Sequence, residues 1–193
     1  MSGAAYTLIE LLLCLGLIAV LGVVSTPGLL AARDTVLADS AADYVGGLLH
    51  GARMEALKRR AYVAVRFEAD GAGVVIAAYV DGNGNGVRSA DITSGADTLL
   101  RPRERLEHRF TNVTFGFETG VPDADGNAVG AGADPIKVGS SRMLSFSPIG
   151  TSSTGTVYLR GHGRRQLAVR VLGATGRVRT LWFDFGGWQW LAR

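Results

Sequence analysis

The chain has 193 residues, of which 20 are Lys or Arg and 17 are Asp or Glu, so its net charge is +3. The only cysteine is Cys14, which excludes an intrachain disulfide and a cysteine-based metal site. The three histidines, His50, His108 and His162, share no metal-ligand spacing, and neither a nucleophile elbow nor a phosphate loop is present. The composition therefore argues against an enzyme and predicts no cofactor.

The N-terminal segment contains a single acid, Glu10, in an otherwise uncharged apolar run. No further charged residue occurs before Arg33. As a helix, residues 11–32 would be about 33 Å long, enough to cross a hydrocarbon core of about 30 Å. A secretory signal peptide is excluded because the run is too long and no basic residue precedes it.

A carboxylate near the end of a membrane helix is costly unless it has a partner. No basic residue lies close to Glu10 in the sequence. We therefore expect its partner to be a neighbouring chain or a freed N-terminus. A plain membrane anchor with an interfacial acid is the alternative.

Helical spacing of apolar residues continues beyond the N-terminal segment. Residues at steps of three and four define one stripe, formed by Leu37, Ala41, Tyr44, Leu48 and Ala52. The sequence predicts one long helix from about Thr7 to Arg59. Its first half is expected in the membrane and its second half on a sheet.

From Tyr62 the apolar period changes from the helical repeat to two, which predicts strands. Residues 63–67 and 74–80 read as a hairpin around the turn at residues 70–73. Further strands are expected at 112–118, 143–146, 156–160, 166–172 and 177–185, and a mobile glycine-rich loop at 119–142. A helix followed by antiparallel strands predicts an α+β fold.

The loop at residues 81–86 has two interpretations. Asp81, Asn83 and Asn85 at alternate positions match the first half of an EF-hand calcium loop. The twelfth position, however, is Ile92 rather than Glu. Asn-Gly pairs also favour tight turns because they tolerate positive φ. A turn is the favoured interpretation, with calcium binding as the alternative.

The C-terminal part of the chain is strongly basic. Residues 156–193 contain seven arginines but one acid, Asp184, and several aromatic residues. Arginines beside aromatics can neutralise phosphates and stack on bases. Arg177 and Arg179 alternate in a predicted strand and should share one face. The alternative is a solvated edge strand whose charges discourage aggregation.

The segment from Ala5 to Leu12, with its Thr-Leu-Ile-Glu-Leu run, resembles the start of type IV pilins and type II secretion pseudopilins. The resemblance implies that a prepilin peptidase removes residues 1–5 by cleaving between Ala5 and Tyr6, and that Tyr6 is N-methylated. Residues 6–32 would then be the transmembrane and assembly helix, with Glu10 paired to the N-terminal amine of an adjacent subunit. Ala5 departs from the family, which usually has glycine there.

A narrower resemblance extends over most of the chain. Residues 53–59, 81–86, 144–150 and 176–179 follow the order of the GspH/FimT group of minor pseudopilins and minor pilins. This implies that residues 33–193 form a pilin domain, a long helix on an antiparallel sheet. The protein would be a single-pass protein of the bacterial inner membrane with a periplasmic domain. It would later join a fibre with other pilins or pseudopilins.

Within that group, FimT-like minor pilins have a Gly-Arg-x-Arg element associated with DNA capture in natural transformation. Gly176, Arg177 and Arg179 match this element, and Arg164 and Arg165 are further candidate contacts. The resemblance implies sequence-independent binding of double-stranded DNA by a type IV pilus minor pilin. The alternative is a GspH-like minor pseudopilin with a structural role in a type II secretion system.

Overall fold

The computed structural model describes residues 7–193, apart from the side chains of residues 23–27. Its first element is helix α1 (Leu8–Arg59). The hydroxyl of Thr7 caps the helix by accepting the backbone N–H of Glu10 at 3.3 Å, and Arg60 ends it with a φ of 54°. The predicted single helix from about Thr7 to Arg59 is confirmed.

The two halves of α1 have different surroundings. In the first half the apolar side chains are exposed, with Leu8 at 79% and Ile9 at 74%. The second half buries a stripe of small and aliphatic residues: Ala38, Ala41, Ala42, Val45, Leu48, Leu49, Ala52 and Ala56. Alanines let the helix backbone approach the strands closely. The predicted stripe is correct at its centre, whereas Leu37 and Tyr44 lie at its edge and are only partly buried.

Residues 6–32 were predicted to include a membrane-crossing helix. Within the part of the chain that the structure describes, no helix is long and apolar enough to cross a membrane. The predicted cleavage site between Ala5 and Tyr6 lies outside the described residues.

Two short helices and ten strands follow α1 among the described residues. The helices are α2 (Ser89–Ser94) and α3 (Leu106–Arg109). The strands are β1 (Val63–Ala69), β2 (Val74–Val80), β3 (Thr98–Arg105), β4 (Thr114–Phe115), β5 (Ile136–Lys137), β6 (Met143–Phe146), β7 (Gly155–Gly161), β8 (Arg165–Leu172), β9 (Arg177–Asp184) and β10 (Gln189–Ala192).

The strands form two antiparallel sheets rather than the single sheet predicted. The first has the order β3-β2-β1-β6, and the second has the order β10-β9-β8-β7-β4, with β5 also paired to β7. Helix α1 contacts strands of both sheets, and one continuous apolar core lies between them. The fold is therefore α+β, with a helix packed on antiparallel sheet, as the sequence predicted.

Three strands were not predicted. Strand β3 has mostly exposed residues, three arginines and Pro102, so it shows no apolar alternation. Proline is tolerated there because β3 is an edge strand. Strand β10 is only four residues long, and the two-residue β5 lies inside the predicted loop at 119–142.

The segment at 119–142 is a loop for most of its length, and hydrogen bonds to a buried carboxylate hold part of it in place. The carboxylate of Asp123, which is 3% exposed, accepts the Nζ of Lys137 at 2.8 Å and the backbone N–H of Asn127 at 2.9 Å. Burial by itself would raise the pKa of Asp123, but the hydrogen bonds from Lys137 and Asn127 outweigh it and hold that pKa well below its usual range. Asp123 thus anchors the loop as a charged group.

Candidate functional site

The second sheet presents two different faces. Val178 and Thr180 of β9 lie toward α1, with the hydroxyl of Thr180 3.6 Å from where a Cβ on Gly46 would stand. Because side chains alternate along a strand, Arg177 and Arg179 lie on the opposite face, and both are exposed. The prediction that these two arginines share a face is confirmed.

A third arginine lies next to this pair because of the register between β8 and β9. Arg170 of β8 stands directly opposite Arg179. Its guanidinium is held by Asp125 at 2.8 Å and by the hydroxyl of Thr156 at 3.0 Å. Among the described residues, neither Arg177 nor Arg179 has an acidic partner within ion-pair distance. Their charge therefore stays available to an anion outside the chain.

Gly176 has a structural role immediately before these arginines. It is buried and has a φ of 60°, which side chains disfavour. A Cβ there would lie 2.4 Å from the carbonyl oxygen of Gly150 and 2.9 Å from the Nε of Arg53. That Nε donates a hydrogen bond to the same carbonyl at 3.2 Å. Gly176 thus allows the β8–β9 turn to pack against α1, and this packing positions Arg177.

Arg165 lies at the other end of the sheet, where it forms an ion pair within the chain. Its guanidinium donates to both carboxylate oxygens of Asp39, at 2.7 and 3.0 Å, and lies over the ring of Trp182 at 5.3 Å. Along β8, Arg165 lies seven residues, or about 23 Å, from the position that pairs with Arg177 on β9. The five predicted DNA contacts therefore do not form one cluster, and Arg165 fastens the sheet to α1.

Arg164 is exposed and stands in the turn before β8 with a φ of 61°. Its guanidinium lies over the ring of Phe185 at 4.7 Å. Together with Arg160 and His162 it lines an open cleft of about 390 Å³. The sequence selected Arg164 but not the exposed Arg160, which the folded β7–β8 hairpin brings into the same cleft.

An aromatic cluster surrounds the β9–β10 turn. Buried Phe183 contacts the rings of Phe185, Trp188 and Trp190 at centroid distances of 5.0 to 5.4 Å. Trp188 is 53% exposed. The carboxylate of Asp184 accepts two backbone N–H groups within the same turn, so it is occupied locally. The sequence placed these aromatics in one basic stretch but could not show which of them is exposed.

Glu10 lies in the first turn of α1 and is exposed. Over residues 7–193, no basic side chain forms an ion pair with its carboxylate. Tyr6, the expected site of N-methylation, lies outside the described residues.

The loop at residues 81–86 is organised around the buried carboxylate of Asp81. One of its oxygens accepts the N–H groups of Asn83 and Gly84, and the other accepts that of Gly86, at 2.8 to 3.1 Å. The side chain of Asn83 in turn accepts the N–H of Asn85. These oxygens serve the turn, so the geometry favours a turn over a calcium site. In the described part of the chain, no group of three or more His, Cys, Asp or Glu residues could hold a metal ion.

Comparisons with protein-family models, with curated proteins and with solved structures found no match to this chain.

Proposed function

We propose that this protein is a FimT-like minor pilin, a subunit that joins or initiates a type IV pilus. The observation that carries the proposal is the exposed apolar half of α1, which projects from a folded α+β domain. Leu8, Ile9 and Leu29 are each more than 70% exposed. Such a surface is unfavourable in water and marks a site that lipid or other chains cover.

Glu10 supplies the polar part of this assembly helix. Its carboxylate has no basic partner within residues 7–193, and the apolar run that follows carries no charge before Arg33. We propose that cleavage between Ala5 and Tyr6 frees an amine that pairs with Glu10 of an adjacent subunit. Before assembly the helix would anchor the protein in the bacterial inner membrane, with residues 33–193 in the periplasm.

The face of β9 that presents Arg177 and Arg179 supports a further role in contact with double-stranded DNA. Both guanidinium groups are exposed and lack acidic partners among the described residues, and Arg170 lies beside them. Phosphate contacts of this kind are independent of base sequence. They weaken as salt rises, because each contact releases about one counterion.

The test uses the full-length chain in detergent micelles and a fluorescent DNA duplex, with binding followed by anisotropy. The Arg177→Gln, Arg179→Gln double variant should bind more weakly at low salt. The Arg88→Gln, Arg101→Gln variant is the matched control, since it removes the same charge from exposed positions near the first sheet. Equal binding by both double variants would contradict the DNA contact and would favour the structural role of a GspH-like pseudopilin.

A further inference from the structure

The β9–β10 turn holds an exposed indole in a defined orientation. Trp188 is 53% exposed, yet its ring meets Phe183 at 5.2 Å and Phe185 at 6.3 Å, both edge to face. The backbone of Trp188 has a φ of 51°, and the contacts with Phe183 and Phe185 hold the indole in place. An aromatic surface that is ordered before binding loses little conformational entropy when a ligand covers it.

One cation, the guanidinium of Arg164, lies beside this aromatic cluster. The guanidinium carbon of Arg164 lies 4.7 Å from the centroid of the Phe185 ring, and no acidic side chain among the described residues pairs with Arg164. The acid in this turn, Asp184, keeps its negative charge, but its two oxygens accept the backbone N–H groups of Gly186 and Gly187 at 3.0 Å and so are directed into the turn. A suitable ligand therefore combines negative charge with flat aromatic groups.

Single-stranded DNA has this combination of features. Its bases are unpaired and can stack on aromatic side chains and on arginine, whereas a duplex keeps its bases inside the helix. We propose that Arg164, Phe185 and Trp188 form a base-stacking platform for single-stranded DNA. The proposal rests on the proposed function of binding DNA, and it adds a site, distinct from Arg177 and Arg179, that selects the form of DNA.

The platform and the arginine pair lie along one strand face. Arg177, Arg179 and Phe183 alternate on β9, and the strand leads directly into the turn that contains Phe185. From Arg179 to Phe185 there are six residues, or about 20 Å of strand. A single strand bound by its phosphates at Arg179 would therefore run toward the platform on the same side of the sheet.

The experiment measures binding of a labelled oligothymidine and of a duplex of equal length by the full-length chain in micelles. Trp188→Ala should weaken binding of the single strand by about 5- to 150-fold, the range expected for one stacked base. Binding of the duplex should change by less than about twofold. Trp188→Phe should retain most of the single-strand binding. Ile149→Ala, at another exposed apolar position, is the matched control and should leave both affinities unchanged.

The outcomes separate this proposal from the proposed function. If the wild-type chain binds neither nucleic acid, both are wrong. If it binds the duplex through Arg177 and Arg179 but Trp188→Ala leaves single-strand binding unchanged, only the platform is wrong. If Trp188→Ala lowers single-strand binding while the double arginine variant has no effect, the platform stands without the arginine contact. Equal loss for both forms of DNA, or impaired incorporation into fibres with normal DNA binding, would overturn the platform.

Discussion

Substituting Gly176 by alanine should destabilise the domain more than a typical glycine substitution in a turn. The left-handed backbone at this position costs a side chain about 1–2 kcal/mol. The added Cβ would also stand 2.4 Å from the carbonyl oxygen of Gly150. Relieving that overlap would break the hydrogen bond from Arg53, worth about 1 kcal/mol. The expected loss in the free energy of unfolding is therefore about 2–3 kcal/mol.

The assay is thermal unfolding of the full-length chain in micelles, followed by circular dichroism. For a domain of this size, such a loss lowers Tm by about 4–12 °C. Gly71→Ala is the matched control, because Gly71 has a φ of 82° but nothing within 4 Å of its added Cβ. If Gly176→Ala and Gly71→Ala lower Tm equally, the overlap with Gly150 does not limit this turn.

Three further predictions concern pH, assembly and salt. Folding depresses the pKa of Asp123, so the stabilising effect of this carboxylate should be complete above the ordinary carboxyl pKa of about 4 and should decline as pH falls below it. The urea midpoints of unfolding at pH 6 and pH 3 should therefore differ less in Asp123→Asn than in the wild type. An equal difference in the two proteins would contradict this prediction. Glu10→Leu should still enter the membrane fraction but be depleted from purified fibres, and normal incorporation would argue against the pairing. The Arg177→Gln, Arg179→Gln variant should reduce the slope of log affinity for duplex DNA against log salt by about 2, as measured by anisotropy, and an unchanged slope would exclude both phosphate contacts.

The helix and the first hairpin were predictable because their signals are local. The bounds of α1 follow from a Thr cap and a continuous apolar pattern, and β1 and β2 alternate around a short turn. Strand β3 was missed because its side chains are mostly exposed and it includes Pro102. Its place in the sheet comes from backbone pairing with β2, which leaves no mark in the side-chain pattern.

The candidate site was predictable only in part, for a similar reason. Local alternation was enough to place Arg177 and Arg179 on one face of a strand. The engagement of Arg165 by Asp39 was not predictable, because the two residues are 126 positions apart in the sequence. The same limit applies to Arg170, which reaches Arg179 only through the register of β8 and β9.

Local sequence signals are enough to predict the long helix, its apolar first half with the single acid Glu10, the α+β class and the shared face of Arg177 and Arg179. Each of these depends on periodicity or charge over a few neighbouring residues. Long-range contacts arrange the strands in two sheets and pair Arg165 with Asp39, while they leave Arg177 and Arg179 without acidic partners in the described chain. They also leave Trp188 exposed and place the guanidinium of Arg164 over Phe185. These features depend on contacts between residues that are distant in the chain, and only folding brings those residues together.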